Sequence, residues 1–159
     1  MTHFQSLLTL IALSSSLAWA QPGFTARDAR GTYTFFFEGT LVRTTTGQPI
    51  PVVAIGTVIL DGNGKVAGSR YLNLGGQTVR ETASGTYTVT PDGFGTINII
   101  AVPNEGEPPV VPPTQEVFHF ILTNRNGGFG LGVSIKAGNG QDIGLVSIVR
   151  ATFTRQEIP

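Results

Sequence analysis

Cysteine is absent from this chain of 159 residues, and charged residues make up only 13% of it. Without cysteine the chain has no disulfide, no thiolate metal site, no catalytic thiol and no lipid-modified cysteine. Ten basic and ten acidic side chains give a formal net charge of zero, and no basic run exists. These features argue against nucleic acid or an anionic membrane surface as a partner. The low charge predicts a wide apolar interior, or apolar surface that something else covers.

Histidine is almost as rare, with His3 in the first twenty residues and His119 beyond them. One histidine and scattered carboxylates have no metal-ligand spacing, so we expect no metal site and no cofactor. His119 is not accompanied by the Gly-x-Ser-x-Gly nucleophile motif of serine hydrolases. We therefore predict no catalytic residue from the sequence. The run Asp61-Gly62-Asn63-Gly64 lacks the downstream ligands of a calcium loop and predicts a hairpin turn instead.

The first twenty residues have the pattern of a secretory signal peptide. An apolar stretch from Leu7 to Leu13 precedes the small-residue site Ala18-Trp19-Ala20. The stretch is too short to span about 30 Å of hydrocarbon. We therefore expect cleavage after residue 20, a secreted or periplasmic protein, and no membrane insertion. The domains predicted are a signal peptide (1–20), a short polar leader (21–30) and one β-domain (31–159).

Glycine is abundant, with 21 residues, and Gly-rich turns divide the rest of the chain into short apolar runs. Glycine and asparagine adopt the positive φ values of hairpin turns, and the β-branched and aromatic residues between them favour strands. The turns are Asp61–Gly64, Pro91–Gly95, Asn124–Gly128 and Gly138–Gly140. The predicted strands are Thr32–Arg43, Val52–Leu60, Lys65–Leu74, Gln77–Thr82, Ser84–Thr90, Gly95–Val102, Glu116–Asn124, Phe129–Ala137 and Gln141–Arg155.

These runs predict an all-β fold, a single antiparallel β-barrel of eight or nine strands with largely meander topology. Several runs, such as Phe118–Leu122, are apolar on both faces, and closure removes exposed sheet edges. A β-sandwich is the alternative. Gly39 within the first strand predicts a bulge or bend. The segments Thr44–Pro51 and Pro103–Thr114 are predicted to be loops, the second because of its five prolines.

Two groups of side chains are candidates for a ligand pocket. Tyr33, Phe35 and Phe37 share one face of the first strand, where they fill the core or form a pocket wall. The second group consists of polar residues in otherwise apolar strands: Glu38, Arg70, Asn98, His119 and Arg150. Pointing inward, they would need partners, such as Glu38 with Arg70 or Arg150, and would orient a ligand. Pointing outward, they are solvated strand positions, and alternation leaves His119 undecided.

Three segments resemble those of small secreted bacterial barrels of the calycin and allene-oxide-cyclase-like type. They are the run from Gly85 to Thr96 (Gly-Thr-Tyr-Thr-Val-Thr-Pro-Asp-Gly-Phe-Gly-Thr), the turn Asp61–Gly64 and the Gly-x-Tyr opening at Gly31. The resemblance implies a barrel that holds a small hydrophobic molecule inside it. Some families of this type are cyclases or isomerases that confine a reactive substrate. No catalytic motif of such a family maps onto these residues.

Three hypotheses for the function remain open. The first is a binding barrel with a small apolar ligand in an internal cavity. The second is a structural or assembly module with a solid core and an apolar outer patch that buries on a partner, for example as a homo-oligomer. The third is a cofactor-free cyclase or isomerase, which needs Glu38, His119 or an arginine in the cavity.

Overall fold

A computed structural model describes residues 23–106, 112–124 and 126–156, so the predicted signal peptide and part of the Pro103–Thr114 connection lie outside the described residues. The described residues form strands, turns and loops but no helix, and hence no helix long and apolar enough to cross a membrane. The strands are β1 (Gly31–Arg43), β2 (Pro49–Leu60), β3 (Lys65–Leu74), β4 (Gln77–Val89), β5 (Phe94–Pro103), β6 (Thr114–Asn124), β7 (Gly127–Ala137) and β8 (Leu145–Arg155).

The strands close into an antiparallel barrel. Each strand pairs with its neighbour in the chain, and β8 returns to pair with β1, for example Phe153 with Phe35. The predicted all-β meander barrel is therefore confirmed, and the alternative sandwich is wrong. Closure satisfies the backbone groups of the first and last strands, which would otherwise be exposed edges.

The number of strands among the described residues is eight, because the predicted strands Gln77–Thr82 and Ser84–Thr90 are one strand, β4. Ala83, between the two predicted segments, pairs with Gly68 on β3 and with Ala101 on β5. Pairing with β3 and β5 therefore keeps β4 extended at Ala83, where the sequence predicts an interruption. Local sequence near Ala83 does not reveal this continuity.

Two predicted loop boundaries also differ. Strand β8 begins at Leu145 rather than Gln141, because Gly144 has a φ of 68°, a left-handed conformation that a strand does not accommodate. Strand β2 begins at Pro49, inside the predicted loop Thr44–Pro51. Proline is tolerated at the start of a strand, where its missing N–H removes little of the ladder.

Gly39 does not form the predicted bulge. The register of β1 runs through Gly39 on both sides, opposite Val52 on β2 and Val149 on β8. A Cβ atom at position 39 would collide with the backbone of Ile148 and Val149, so glycine permits the close approach of β8. Register shifts occur instead between β6 and β7.

The inner faces of the strands form two apolar clusters, one toward each end of the barrel. The first consists of Ala29, Tyr33, Leu60, Val66, Tyr87, Phe120 and Leu122. The second consists of Phe37, Leu41, Val52, Ala54, Leu72, Val79 and Val149. Burial of each large apolar side chain contributes about 1.5–3 kcal/mol, so these clusters supply much of the stability of the fold.

Residues 23–30, the described part of the predicted leader, pack across the barrel mouth beside the first cluster. The Tyr33 hydroxyl donates to the carbonyl of Ala29 at 2.8 Å, and the Tyr87 hydroxyl donates to the carbonyl of Ala26 at 2.9 Å. The Tyr87 oxygen also accepts the backbone N–H of Gly62 at 2.9 Å. Burial raises the pKa of both tyrosines, which keeps the hydroxyls neutral and able to donate.

Candidate ligand cavity and its ion cluster

The barrel interior contains a cavity of about 100 Å³ between the two apolar clusters. All eight strands of the described barrel contribute to its wall. The cavity exists because several inward-facing residues are too small to fill the barrel. They are chiefly Gly68, Ala83, Gly130 and Ala151. The surface of the cavity is almost entirely apolar.

Aromatic rings form most of the cavity wall. The rings of Phe35 and Phe37 stack in nearly parallel planes with centroids 6.1 Å apart, and Phe37 contacts Phe118 at 6.0 Å. Toward the covered mouth, Phe120 and Phe153 meet edge to face at 5.8 Å. Such pairs add about 0.5–1.5 kcal/mol each beyond the burial of their area, and they hold the wall in a defined shape.

Arg70 on β3 provides the polar part of the cavity wall and is the centre of a buried ion cluster. Its Nε donates to Glu81 Oε2 at 2.6 Å. Its Nη1 and Nη2 donate to the two oxygens of Glu116 at 2.7 and 2.5 Å, a bidentate pair. The hydroxyl of Thr114 also donates to Glu116 Oε1 at 2.8 Å, and the guanidinium lies 5.5 Å from the centre of the Phe37 ring.

The cluster carries one positive group and two carboxyl groups in a region shielded from water. Arg70, Glu81 and Glu116 are 4%, 1% and 4% exposed. Burial raises the pKa of Glu81 although Arg70 lowers it, whereas burial lowers the pKa of Arg70 and is outweighed by Glu116 and Glu81, which raise it. Glu81 Oε1 has no hydrogen-bond partner among the described residues. Protonation of Glu81 would give the cluster a net charge of zero, which has a lower free energy in a region of low dielectric constant.

A smaller cavity of about 40 Å³ lies on the far side of the ion cluster, toward the mouth opposite residues 23–30. Phe37, Arg70 and Phe118 border both cavities. These three side chains therefore separate the interior into two compartments. In the described part of the chain, no three histidine or acidic side chains converge as metal ligands would.

The structure divides the predicted site residues between the two faces of the barrel wall. Tyr33, Phe35, Phe37 and Arg70 line the larger cavity. Glu38, Asn98, His119 and Arg150 lie on the outer face, the second of the two orientations considered for them, and they do not line the interior cavity. The physical reason is strand alternation, because each has sequence neighbours of the opposite parity that fill the core, such as Phe37 beside Glu38 and Phe120 beside His119.

Two of the outward residues form one of the predicted ion pairs. Arg150 Nε donates to Glu38 Oε1 at 2.9 Å, across neighbouring strands β8 and β1. Arg70, the other partner considered for Glu38, lies inside the barrel with Glu81 and Glu116. His119 Nδ1 is 3.0 Å from the hydroxyl of Thr96 on the adjacent strand. Asn98 is an exposed side chain on the outer face of β5.

Glu81, Thr114 and Glu116 also belong to the interior cluster, although they are not among the site residues predicted from the sequence. A signal for two of them is present in the strand parity. Glu116 has the same parity as Phe118 and Phe120, and Glu81 has the same parity as Val79. A carboxylate in register with buried apolar residues indicates a buried acid that needs a cationic partner.

Comparison of the chain with protein-family models, with curated proteins and with solved structures yields no match. The resemblance to calycin and allene-oxide-cyclase-like barrels therefore stays a prediction.

Proposed function

We propose that this protein is an exported β-barrel that binds a small hydrophobic molecule in its interior. The observation that carries the proposal is the aromatic-walled cavity of about 100 Å³. An apolar cavity in a packed protein stays dry, and a molecule that fills it gains dispersion contacts the empty wall lacks. Tyr33, Phe35, Phe37 and Arg70, four residues singled out from the sequence, are part of that wall.

The size and charge of the cavity limit the class of ligand. An engineered apolar cavity of roughly 150 Å³ accepts benzene, and ligand pockets for drug-sized molecules measure about 300–1,000 Å³. We therefore expect a molecule with one ring or a short branched alkyl chain. Arg70 is already paired with two carboxyl groups, so an anionic ligand finds no free cation there. The proposed ligand is uncharged.

The proposal is tested with benzene and toluene as probes. Thermal unfolding of the purified protein is followed by far-UV circular dichroism in buffer saturated with each probe. A ligand that binds the native state raises the melting temperature by mass action. The variant Ala83→Leu fills the cavity from its β4 wall and should abolish the shift in Tm.

The matched control is Ala67→Leu, which adds the same side chain on the exposed outer face of β3. It should respond to the probes as the unsubstituted protein does. An unsubstituted protein whose Tm does not rise with either probe would refute the proposal. Equal responses of the two variants would also refute it, because the probes would then bind outside the cavity.

The cyclase or isomerase alternative has less support in the geometry. It required Glu38, His119 or an arginine in the cavity, and of these Arg70 alone lines it. The Arg70 nitrogens are held by Glu81 and Glu116, which suits a fixed polar wall better than a proton donor. The assembly alternative is supported by a different observation, the apolar side chains on the outer wall.

A further inference from the structure

The outer wall of the barrel carries an unusual concentration of exposed apolar side chains. Six of them, 40–65% exposed, form what we call the outer band: Phe36, Ile55, Phe94, Phe129, Leu131 and Ile148. These side chains expose on the order of 600 Å² in total, taking about 200 Å² for a fully exposed large side chain. The largest apolar patch on a typical monomer measures about 300–600 Å².

Strand register connects the outer band across six adjoining strands, from β5 through β8 to β1 and β2. Phe129 on β7 faces Thr152 on β8, and Thr152 in turn faces Phe36 on β1. Phe36 faces Ile55 on β2, and on the other side Phe129 faces Ile121 on β6. Phe94 on β5 extends the same row by facing Ile121. The exposed residues of these pairs therefore follow one row along the outer wall, with Thr152 as a polar member of it, rather than occupying scattered positions.

A row of three outward side chains, two of them charged, crosses the outer band and separates two grooves. It consists of Leu131, Arg150 and Glu38, which are paired in register across β7, β8 and β1. A groove of about 600 Å³ lies on one side, and a groove of about 700 Å³ on the other. All three residues of the row border both grooves. The surface thus has a ridge with a groove on each side.

We infer that the outer band is the contact between two copies of this chain related by a two-fold axis. A ridge beside a groove is self-complementary, because a two-fold rotation places the ridge of one copy opposite a groove of the other. Five members of the outer band, all except Ile55, border the two grooves and expose on the order of 550 Å². This is comparable to the apolar part, somewhat over half, of the roughly 800 Å² per partner that a standard interface buries. A formal net charge of zero removes long-range repulsion between the copies.

The charges on the ridge fit the same arrangement. Arg150 and Glu38 are adjacent and opposite in sign, and Arg150 is 80% exposed. In a two-fold contact, Arg150 of one copy can reach Glu38 of the partner subunit while keeping its own pair. The inference concerns the outer wall and is independent of ligand binding in the interior.

Sedimentation equilibrium of the purified protein over a range of concentrations tests the inference. We expect a reversible monomer–dimer equilibrium, and Leu131→Lys should weaken the dimer by about tenfold or more, since it places a charge at the centre of the contact. The control Ile100→Lys alters an exposed apolar residue of β5 outside the outer band and should leave the equilibrium unchanged. Far-UV circular dichroism confirms that both variants are folded.

A charge-reversal pair tests the two-fold geometry directly. Glu38→Arg places two arginines on the ridge, and Arg150→Glu places two glutamates there, so each variant alone should be a monomer. An equimolar mixture should restore a heterodimer, because the cationic ridge of one copy meets the anionic ridge of the other.

Three results would overturn the inference. A native protein that remains monomeric at every accessible concentration excludes the dimer, even if another protein or a lipid vesicle binds the outer band. Equal effects of Leu131→Lys and Ile100→Lys would place the contact elsewhere. Charge-reversal variants that stay monomeric when mixed would exclude the two-fold contact through the ridge. None of these results depends on the response to benzene or toluene.

Discussion

Arg70 and Arg150 make similar bonds on opposite faces of the same barrel wall. Each guanidinium pairs with glutamate on another strand, Arg70 with Glu81 and Glu116, Arg150 with Glu38. Arg70 is 4% exposed, whereas Arg150 is 80% exposed. Water surrounds the outer pair and screens its attraction, but inside the barrel the charges can be compensated only by one another.

The two arginines differ in burial rather than in the chemistry of their bonds. Burial therefore decides how much unfolding free energy is lost when one partner is removed. A buried charge that loses its partner keeps the full cost of desolvation, while an exposed charge returns to water. The inner cluster has two carboxyl groups for one guanidinium, whereas the outer pair has one of each. Substitutions at matching positions on the two faces should therefore have very different effects.

The largest effect is expected for Arg70→Met, which removes the cation and retains much of the side-chain volume. Glu81 and Glu116 would then be buried without a positive partner, and the loss of unfolding free energy should be about 3–5 kcal/mol at neutral pH. Urea unfolding followed by far-UV circular dichroism measures it. A loss below about 1 kcal/mol, the range of an exposed pair, would contradict the difference between the faces.

A medium effect is expected for Glu81→Gln, and its size depends on pH. Because burial raises the pKa of Glu81 above its ordinary value of 4.5, the native state binds the proton more tightly than the unfolded chain does. The contribution of Glu81 to the free energy of unfolding is fully present below pH 4.5, and it is lost as the pH rises through the pKa of the native state. Glutamine stays neutral and removes this loss.

The free energy of unfolding of both proteins is therefore measured by urea titration from acid to mildly alkaline pH. The advantage of Glu81→Gln over the native protein should grow as the pH rises above 4.5. If unfolding free energy had the same slope against pH in both proteins, the raised pKa would not belong to Glu81. Arg70 remains balanced by Glu116 in the variant, so a general collapse is not expected.

The smallest effect is expected for Arg150→Met, the outer counterpart of Arg70→Met. An exposed ion pair contributes about 0–1 kcal/mol, so the unfolding free energy should change by no more than that. The measurement is the same urea titration, repeated at high salt, where the difference should shrink. Both proteins are titrated at a concentration at which the chain is monomeric, because a second copy on the ridge would cover this pair. A loss as large as that of Arg70→Met in the monomer would contradict the difference between the two faces.

Much of the barrel can be predicted from residue patterns because its causes are local. Glycine supplies positive φ at the turns, for example at Gly62 and Gly93, and runs of β-branched and aromatic residues form strands between them. Strand continuity was harder to predict. The pairing that carries β4 through Ala83 involves β3 and β5, and the boundary at Leu145 depends on the conformation of the loop before it.

The candidate site was only half predictable, because alternation defines two faces without saying which is inside. Tyr33, Phe35 and Phe37 were correctly grouped on one face, and the structure places that face inside the barrel. His119 was undecided because both faces of β6 are apolar, and it lies outside. Arg70 was singled out, but its partners are 11 and 46 residues away in the chain.

Local chemistry alone determines that this chain forms short antiparallel strands joined by glycine-rich turns, since φ preference and side-chain branching act over a few residues. Tertiary structure decides which face of each strand is buried, because that choice requires the strands to close around a common axis. Closure brings Arg70 to Glu81 and Glu116, leaves a cavity where small residues meet, and turns Glu38 and Arg150 outward. These contacts join residues that are distant in the sequence, and no local pattern encodes them.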